Sequence, residues 1–225
     1  MISEIYRQDL ILILFSVRGA LLATFFAFLV SIPVAYFLTF KDFRGKFILE
    51  VATVIPLGIP PVVIGYVLLV LLSPRYFFGG MIEDVFGGTL IFTWIAGSIA
   101  ASIVSFPLMV RAFQVGFSNI TKEEISTAKS LGLSSIQISL SIILPLSKNG
   151  ILAGLLICFV RSLAEFGATI VVAGNIPGVT QNLSTAIFSG ISSGDSQSVF
   201  RLSIFSILLA VSSITVHNFL LNKKI

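Results

Sequence analysis

Five long apolar stretches constrain this chain more than any other feature of its sequence. They cover residues 10–40, 48–72, 89–110, 136–173 and 199–221. Each is at or above the roughly 20 residues that a helix needs to cross a bilayer. Because the stretches are continuously apolar, they favour helices over barrel strands, which alternate in polarity. The sequence therefore predicts an all-α, polytopic membrane protein with about five transmembrane helices.

The composition agrees with a membrane protein. Hydrophobic residues make up 56% of the 225 residues and charged residues only 11%, which is more apolar surface than a soluble core could bury. The first and fourth stretches exceed the minimum length, so we expect them to tilt or extend beyond the hydrocarbon, and the fourth to break near Gly167 or Gly174. A sixth membrane-crossing helix is the alternative to the five-helix arrangement. We expect a single domain over residues 10–221, with short termini at 1–9 and 222–225.

Basic residues favour one side of the membrane. The opposite loops, 73–88 and 174–198, have Arg75 as their one basic residue and contain Glu83, Asp84 and Asp195. The remaining loops and the C-terminus carry Lys41, Arg44, Lys46, Arg111, Lys122, Lys129, Lys148, Lys223 and Lys224. Because cytoplasmic loops are enriched in Lys and Arg, the second group predicts the cytoplasmic side. With five spans, the N-terminus is then outside and the C-terminus cytoplasmic.

Several classes of function are disfavoured by what the chain lacks. Cys158 is the single cysteine and His217 the single histidine, so we expect no metal site and no cofactor. The net charge of +4 comes without a basic and aromatic patch, so nucleic acid is not an expected partner. Membrane lipid is.

A polar segment separates the third and fourth stretches, and we call it the 119–135 loop. Thr121 and Glu124 have the spacing of a capping box, which predicts a helix start. A narrow apolar stripe follows on this otherwise polar helix, formed by Ile125, Ala128 and Leu131.

Gly132 is a natural helix stop, and Ser134 with Gln137 repeats the capping pattern before the next apolar run. A helix this short needs tertiary or partner contacts. An amphipathic connector resting on the lipid surface is the alternative.

The same region resembles the coupling loop of ABC importer permeases, whose signature is Glu-Ala-Ala, three residues, Gly, nine residues and Ile-x-Leu-Pro. Ser126 and Thr127 depart from it, standing where that family usually has Glu and the first Ala. The resemblance implies a short helix that docks on a cytosolic ATPase subunit. The residues expected to couple the two are Thr121, Glu123, Glu124, Ala128, Gly132, Ile142, Leu144 and Pro145.

Arg161 and Glu165 form the second notable pattern. They are four residues apart in an apolar run, which predicts one face of a helix. A charge at mid-membrane costs on the order of 2.5–3.5 kcal/mol on insertion scales, so such groups face a partner or a wet cavity. Because an exposed Glu165 would repel an anion, we assign it to pairing with Arg161. A purely structural lock between helices remains an open alternative.

Three runs resemble the molybdate permeases of the molybdate, tungstate and sulfate permease family. They are IPLGIPPVVIGY at 55–66, SFPLMVRA at 105–112, and AEFGAT at 164–169 with its continuation through AGNIPG to residue 181. The resemblance implies ATP-driven import of molybdate by alternating access across the bacterial cytoplasmic (inner) membrane. Tungstate or sulfate is the alternative substrate.

The resemblance also implies partners. These are a second permease copy, giving a homodimer, two cytosolic ATP-binding subunits and an extracytoplasmic molybdate-binding protein. The chain itself has no Gly-x-x-x-x-Gly-Lys-Ser/Thr loop that could hold ATP, so we expect a non-catalytic subunit.

Hydrogen-bond donors and small residues suit an oxyanion path that must also release its anion. The residues expected in the path or its gate are Arg161, Ser162, Glu165, Phe166, Gly167, Thr169, Asn175, Thr180 and Gln181. Helix kinks are expected at Pro56, Pro60, Pro61 and Pro107.

A serine hydrolase and a passive channel or structural membrane subunit are the alternative functions. Gly190, Ser192 and Gly194 fit the Gly-x-Ser-x-Gly pattern of serine hydrolases, with Asp195 and His217 following. That pattern works on a strand-to-helix elbow, whereas here we expect it in an external loop, with His217 at the opposite membrane face roughly 30 Å away. A passive channel or structural membrane subunit would leave the coupling signature without a purpose.

Overall fold

The computed structural model describes residues 2–222, and this part of the chain is helical and contains no strand. Lys223 and Lys224, two of the residues used to predict orientation, lie outside the described residues. The predicted all-α class is confirmed. The helices are α1 Ile2–Phe40, α2 Lys46–Gly58, α3 Pro61–Leu72, α4 Phe77–Phe86, α5 Trp94–Phe117, α6 Lys122–Ser130, α7 Ser135–Ile138, a π-helical turn Ser139–Ile143, α8 Leu144–Leu146, α9 Lys148–Leu163, α10 Gly167–Ala173, α11 Leu183–Ser193 and α12 Ser196–Asn222.

Three of the described helices are long and apolar enough to cross a membrane. They are Gln8–Phe40 of α1, the whole of α5, and Ser196–Val216 of α12. Two bent pairs also qualify, α2 with α3 at 110° and Ser135–Leu146 with α9 at 73°. The count reaches 5 when each bent pair is one span, which agrees with the number predicted from sequence.

The second stretch is not one straight helix, because it turns sharply between Gly58 and Pro61. Pro60 and Pro61 have no N–H to continue a helical ladder, and a residue before proline is held extended, as Ile59 is at φ −94° and ψ 135°. Pro56 and Pro107 lie inside α2 and α5 and end neither helix.

The fourth stretch breaks twice, and the predicted break near Gly167 or Gly174 accounts for the second of these. The first break is the bend at Ser147, and the second is the non-helical segment 164–166. The two expected break points are confirmed, since α10 begins at Gly167 and ends before Gly174, whose φ is +75°. A positive φ strains most residues, and glycine adopts it freely.

Other boundaries also differ from the apolar pattern. The third span begins at Trp94 rather than at residue 89, because the Thr93 hydroxyl accepts a hydrogen bond from the Ala96 N–H at 3.2 Å and caps α5. The two predicted outer loops, 73–88 and 174–198, contain the short helices α4 and α11.

The core forms around α5, which packs against α1, α9 and α10. Its buried side chains include Met109, Phe113 and Phe117. Helices α5 and α9 approach closely at two glycines, where a Cβ added to Gly150 would lie 2.4 Å from the Gly116 Cα. Small residues let helix backbones approach in a membrane, where helices gain little from hydrophobic burial against each other.

We predict that Gly150→Ala destabilises the protein by about 1–3 kcal/mol, because the added methyl group overpacks the contact with the Gly116 backbone. Thermal unfolding in detergent measures the change. Gly58→Ala is the matched control, because a Cβ there meets nothing within 4 Å. Equal melting temperatures for the two variants would contradict the close α5–α9 contact.

Candidate functional site

The 119–135 loop folds as its capping pattern predicts. The Thr121 hydroxyl accepts a hydrogen bond from the Glu124 N–H at 3.2 Å, and the Glu124 carboxylate accepts one from the Thr121 N–H at 2.8 Å. Ser134 and Gln137 repeat this reciprocal pair at the start of α7. Gly132, with φ +84°, turns the chain between the two helices. Both predicted capping boxes and the glycine stop are confirmed.

The apolar stripe on α6 is split. Ala128 is buried and Ile125 packs beside it against the core, which holds α6 to the body of the protein. Leu131 lies past the end of α6 and is 78% exposed, so its expected place on the same stripe is wrong. The exposed first turn carries Glu123 and Glu124, where carboxylates favour the positive end of the helix.

Ile142, Leu144 and Pro145 lie at the sharp bend that leads into α9. The backbone forms a π-helical turn immediately before Leu144, consistent with the N–H that Pro145 lacks. The Ser147 hydroxyl closes the bend by donating to the Gly116 carbonyl at 3.3 Å. The signature residues therefore join the 119–135 loop to a membrane helix through a defined corner.

A small cavity of about 40 Å³ lies between α1, α5, the end of α9 and α10. We call it the hydroxyl cavity. Its polar lining brings together four predicted pathway residues, Ser162, Thr169, Thr180 and Gln181. The sequence analysis missed the rest of its lining, which includes Ser16, Trp94, Ser98 and Asn182. These come from distant parts of the chain, and the one signal for them was that Trp94 is the single tryptophan.

The other predicted pathway residues do not line this cavity. Asn175 donates to the Ser189 hydroxyl at 2.5 Å and ties the loop after α10 to α11. The Phe166 ring packs against the Phe188 ring in a tilted contact, with 5.0 Å between the ring centroids. Gly167 packs against the start of α3. These residues hold neighbouring elements together around the cavity.

Arg161 and Glu165 form the predicted ion pair, with 2.9 Å between Arg161 Nη2 and Glu165 Oε2. Their placement on one helix face is wrong, because α9 ends at Leu163 and Glu165 lies in the break before α10. The second carboxylate oxygen accepts the Ala168 N–H at 2.9 Å. Glu165 is 2% exposed. A buried charge needs partners, and both oxygens of this carboxylate have one.

Arg18 is a further arginine within a candidate membrane-spanning helix, and it was not among the residues predicted from the sequence. Its guanidinium carbon lies 3.8 Å from the centroid of the Trp94 ring, a cation–π contact at the edge of the hydroxyl cavity. Arg18 is the single charged residue of the stretch 10–40, which was the signal available in the sequence.

The serine hydrolase alternative fails on geometry. Gly190 and Ser192 lie in α11, and Ser192 donates to the Phe188 carbonyl within that helix. Asp195 caps the next helix, and hydrogen bonds from the Ser198 side chain and backbone lower its pKa. The His217 side chain lies outside the described residues. A nucleophile inside a helix cannot form the required elbow.

Among the described residues, no group of three or more His, Cys, Asp or Glu side chains could hold a metal ion.

Comparison with known proteins gives a consistent result. A family model described as a binding-protein-dependent transport system inner membrane component matches residues 10–224. The chain is 38% identical to the molybdenum transport system permease protein ModB of Escherichia coli strain K12, over 92% of this chain and 91% of that protein. It is 39% identical to ModB of Haemophilus influenzae, over 84% and 83%. It is 31% identical to the sulfate transport system permease protein CysT of Salmonella typhimurium, over 86% and 69%.

Solved structures share the fold. An inward-facing structure of the MetNI methionine ABC transporter matches with a TM-score of 0.73 and 13% identity, over 98% of both chains. A bacterial ABC transporter involved in alginate import matches with a TM-score of 0.75 and 17% identity, over 96% of this chain and 80% of that one. The predicted ABC type I importer permease fold is confirmed.

We predict that Glu165→Gln lowers the free energy of unfolding by about 1–3 kcal/mol, because Arg161 loses its charged partner. Glutamine can still accept the Ala168 N–H, so the loss reports mainly on the ion pair. Thermal unfolding of both single variants and of the Arg161→Gln/Glu165→Gln double variant measures the coupling. The double variant should be less destabilised than the sum of the singles, and simple additivity would contradict a coupled pair.

Proposed function

Because this chain belongs to the family of binding-protein-dependent transport system inner membrane components, we propose that it is the permease subunit of an ATP-driven molybdate importer. The observation that carries the substrate is the 38% identity to the Escherichia coli molybdenum permease over 92% of this chain. Identity to the sulfate permease CysT is lower, at 31%, which makes sulfate the weaker alternative. Tungstate, which resembles molybdate in size and charge, is the stronger alternative substrate.

The proposed assembly contains two copies of this chain and two cytosolic ATPase subunits, with an extracytoplasmic binding protein that delivers the anion. The 119–135 loop is the docking element for the ATPases. A capping box satisfies the backbone at the start of α6, and Leu131 offers an exposed apolar side chain beside the Gly132 turn. The corner at Leu144 and Pro145 carries movement of the loop into α9.

The proposed orientation places the N-terminus outside and the C-terminus in the cytoplasm. Lys41, at the end of α1, and Lys129, on α6, line one shared cavity of about 530 Å³, so these two basic regions lie at the same end of the molecule. Asp9 and Asp195 line a different cavity of about 580 Å³, formed by α1, α11 and α12. Basic residues near the 119–135 loop match the cytoplasmic preference for Lys and Arg.

The hydroxyl cavity is the part of the molecule best suited to the anion path. Thr169, Thr180 and Gln181 supply neutral hydrogen-bond groups there, and none of its lining residues carries a charge. Such a site can bind an anion without holding it permanently. Its volume of about 40 Å³ is enough for a water molecule. In the proposed alternating access, helix movement opens this cavity to the anion.

We expect cells that lack their own high-affinity system to take up labelled molybdate when this chain is expressed with its ATPase and binding protein. Uptake should require ATP and should be blocked by tungstate and not by sulfate. The measurement is initial uptake with each competitor in turn. Equal competition by sulfate would assign the chain to sulfate transport, and no uptake of any of the three anions would reject the proposal.

We predict that Glu124→Ala uncouples ATP hydrolysis from uptake without preventing membrane insertion. The change removes the carboxylate that caps α6 and costs about 1 kcal/mol of local helix stability. Gly132→Ala should act similarly through strain at φ +84°. Glu124→Gln is the control, because its amide oxygen can accept the same Thr121 N–H. Molybdate transported per ATP is the measured ratio, and normal ratios in both alanine variants would contradict the docking role.

A further inference from the structure

Arg18 occupies an unusual position for a charged residue. It lies within the membrane-spanning helix α1, is exposed, and stacks on Trp94 at 3.8 Å. Trp94 and the adjacent Gly19 both line the hydroxyl cavity. The guanidinium is therefore held at the edge of this cavity.

The charge of Arg18 is not compensated by a carboxylate. Within the described part of the chain, no Asp or Glu oxygen lies within 4.0 Å of its guanidinium, which contacts the Trp94 ring instead. Arg161 differs, because Glu165 neutralises it at 2.9 Å. An intramembrane charge without a protein partner is a functional feature by default, since insertion opposes it.

A positive charge beside the cavity would strengthen the weak binding of a dianion by its neutral lining. The hydroxyl protons of Ser16 and Ser98 are already donated to the carbonyls of Leu12 and Trp94. The remaining hydrogen-bond donors of the lining are neutral, because no lining side chain carries a charge. A desolvated dianion is poorly stabilised by neutral groups alone, and a guanidinium can donate two parallel hydrogen bonds to it.

We propose that Arg18 leaves the Trp94 ring and binds the transported oxyanion at the mouth of the hydroxyl cavity. The inference rests on the proposed function. Cation–π stacking at an exposed site is weak enough to be exchanged for the anion and regained after it has passed. A guanidinium paired with a buried carboxylate, as Arg161 is with Glu165, could not make this exchange without leaving that carboxylate unpaired.

The test uses the complete transporter in proteoliposomes, with loaded binding protein and with molybdate, tungstate and sulfate as probes. Oxyanion transported per ATP hydrolysed is measured for the wild type, Arg18→Gln, Arg18→Lys and Arg75→Gln. Arg75 is exposed in the predicted outer loop, so its variant removes the same charge away from the cavity. We expect Arg18→Gln to lower the ratio at least about tenfold, Arg18→Lys to give an intermediate ratio, and Arg75→Gln to change nothing.

Each outcome decides between the two proposals. An unchanged ratio with normal uptake in Arg18→Gln would overturn the role of Arg18 and leave the proposed function intact. A parallel loss of ATP hydrolysis and uptake, which also keeps the ratio constant, would overturn that role and assign Arg18 to membrane anchoring instead. If Arg18→Gln fails to insert, a wild-type ratio in Arg18→Lys overturns the role, because an ammonium cannot replace the bidentate contact. A wild-type transporter that moves none of the three oxyanions would overturn both proposals.

Discussion

Backbone amides and carbonyls have no water to bond inside a bilayer, so every break in a spanning helix of this chain needs partners of its own. At the turn between α2 and α3, two consecutive prolines reduce the number of N–H groups that need partners. At the bend before α9, Ser147 bonds the carbonyl of Gly116 on the neighbouring helix α5. At the break before α10, the Glu165 carboxylate accepts the Ala168 N–H. These local solutions allow short helices to surround a cavity.

Glu165 links this backbone requirement to the charge distribution. One carboxylate oxygen stabilises the start of α10 and the other neutralises Arg161, so a single buried group serves both the chain break and the ion pair. The positive charge of Arg161 is therefore not available to an anion. Arg18, stacked on Trp94 beside the same cavity, keeps its charge uncompensated by any carboxylate in the described residues. The two arginines are chemically alike, and their surroundings leave one neutralised by a carboxylate and the other stacked on an aromatic ring.

Features that depend on close neighbours in the chain were predictable. The Thr121–Glu124 and Ser134–Gln137 boxes join residues three positions apart, and the Arg161–Glu165 pair joins residues four apart. The prediction of a continuous helix from Arg161 to Glu165 was wrong, because long side chains can still meet when the backbone between them unwinds. The position of Leu131 was wrong for a related reason, since α6 ends one residue before it and the stripe does not continue.

The sequence by itself determined that the chain is all-α and lies in a membrane, because continuous apolar stretches leave helices as the way to pair the backbone in hydrocarbon. It also determined the 119–135 loop and its caps, whose hydrogen bonds close within one helical turn. Only the tertiary structure decided which residues share the hydroxyl cavity. Ser16 on α1, Trp94 on α5 and Thr169 on α10 are far apart in sequence, and they meet because helices crossing at small residues bring these faces together.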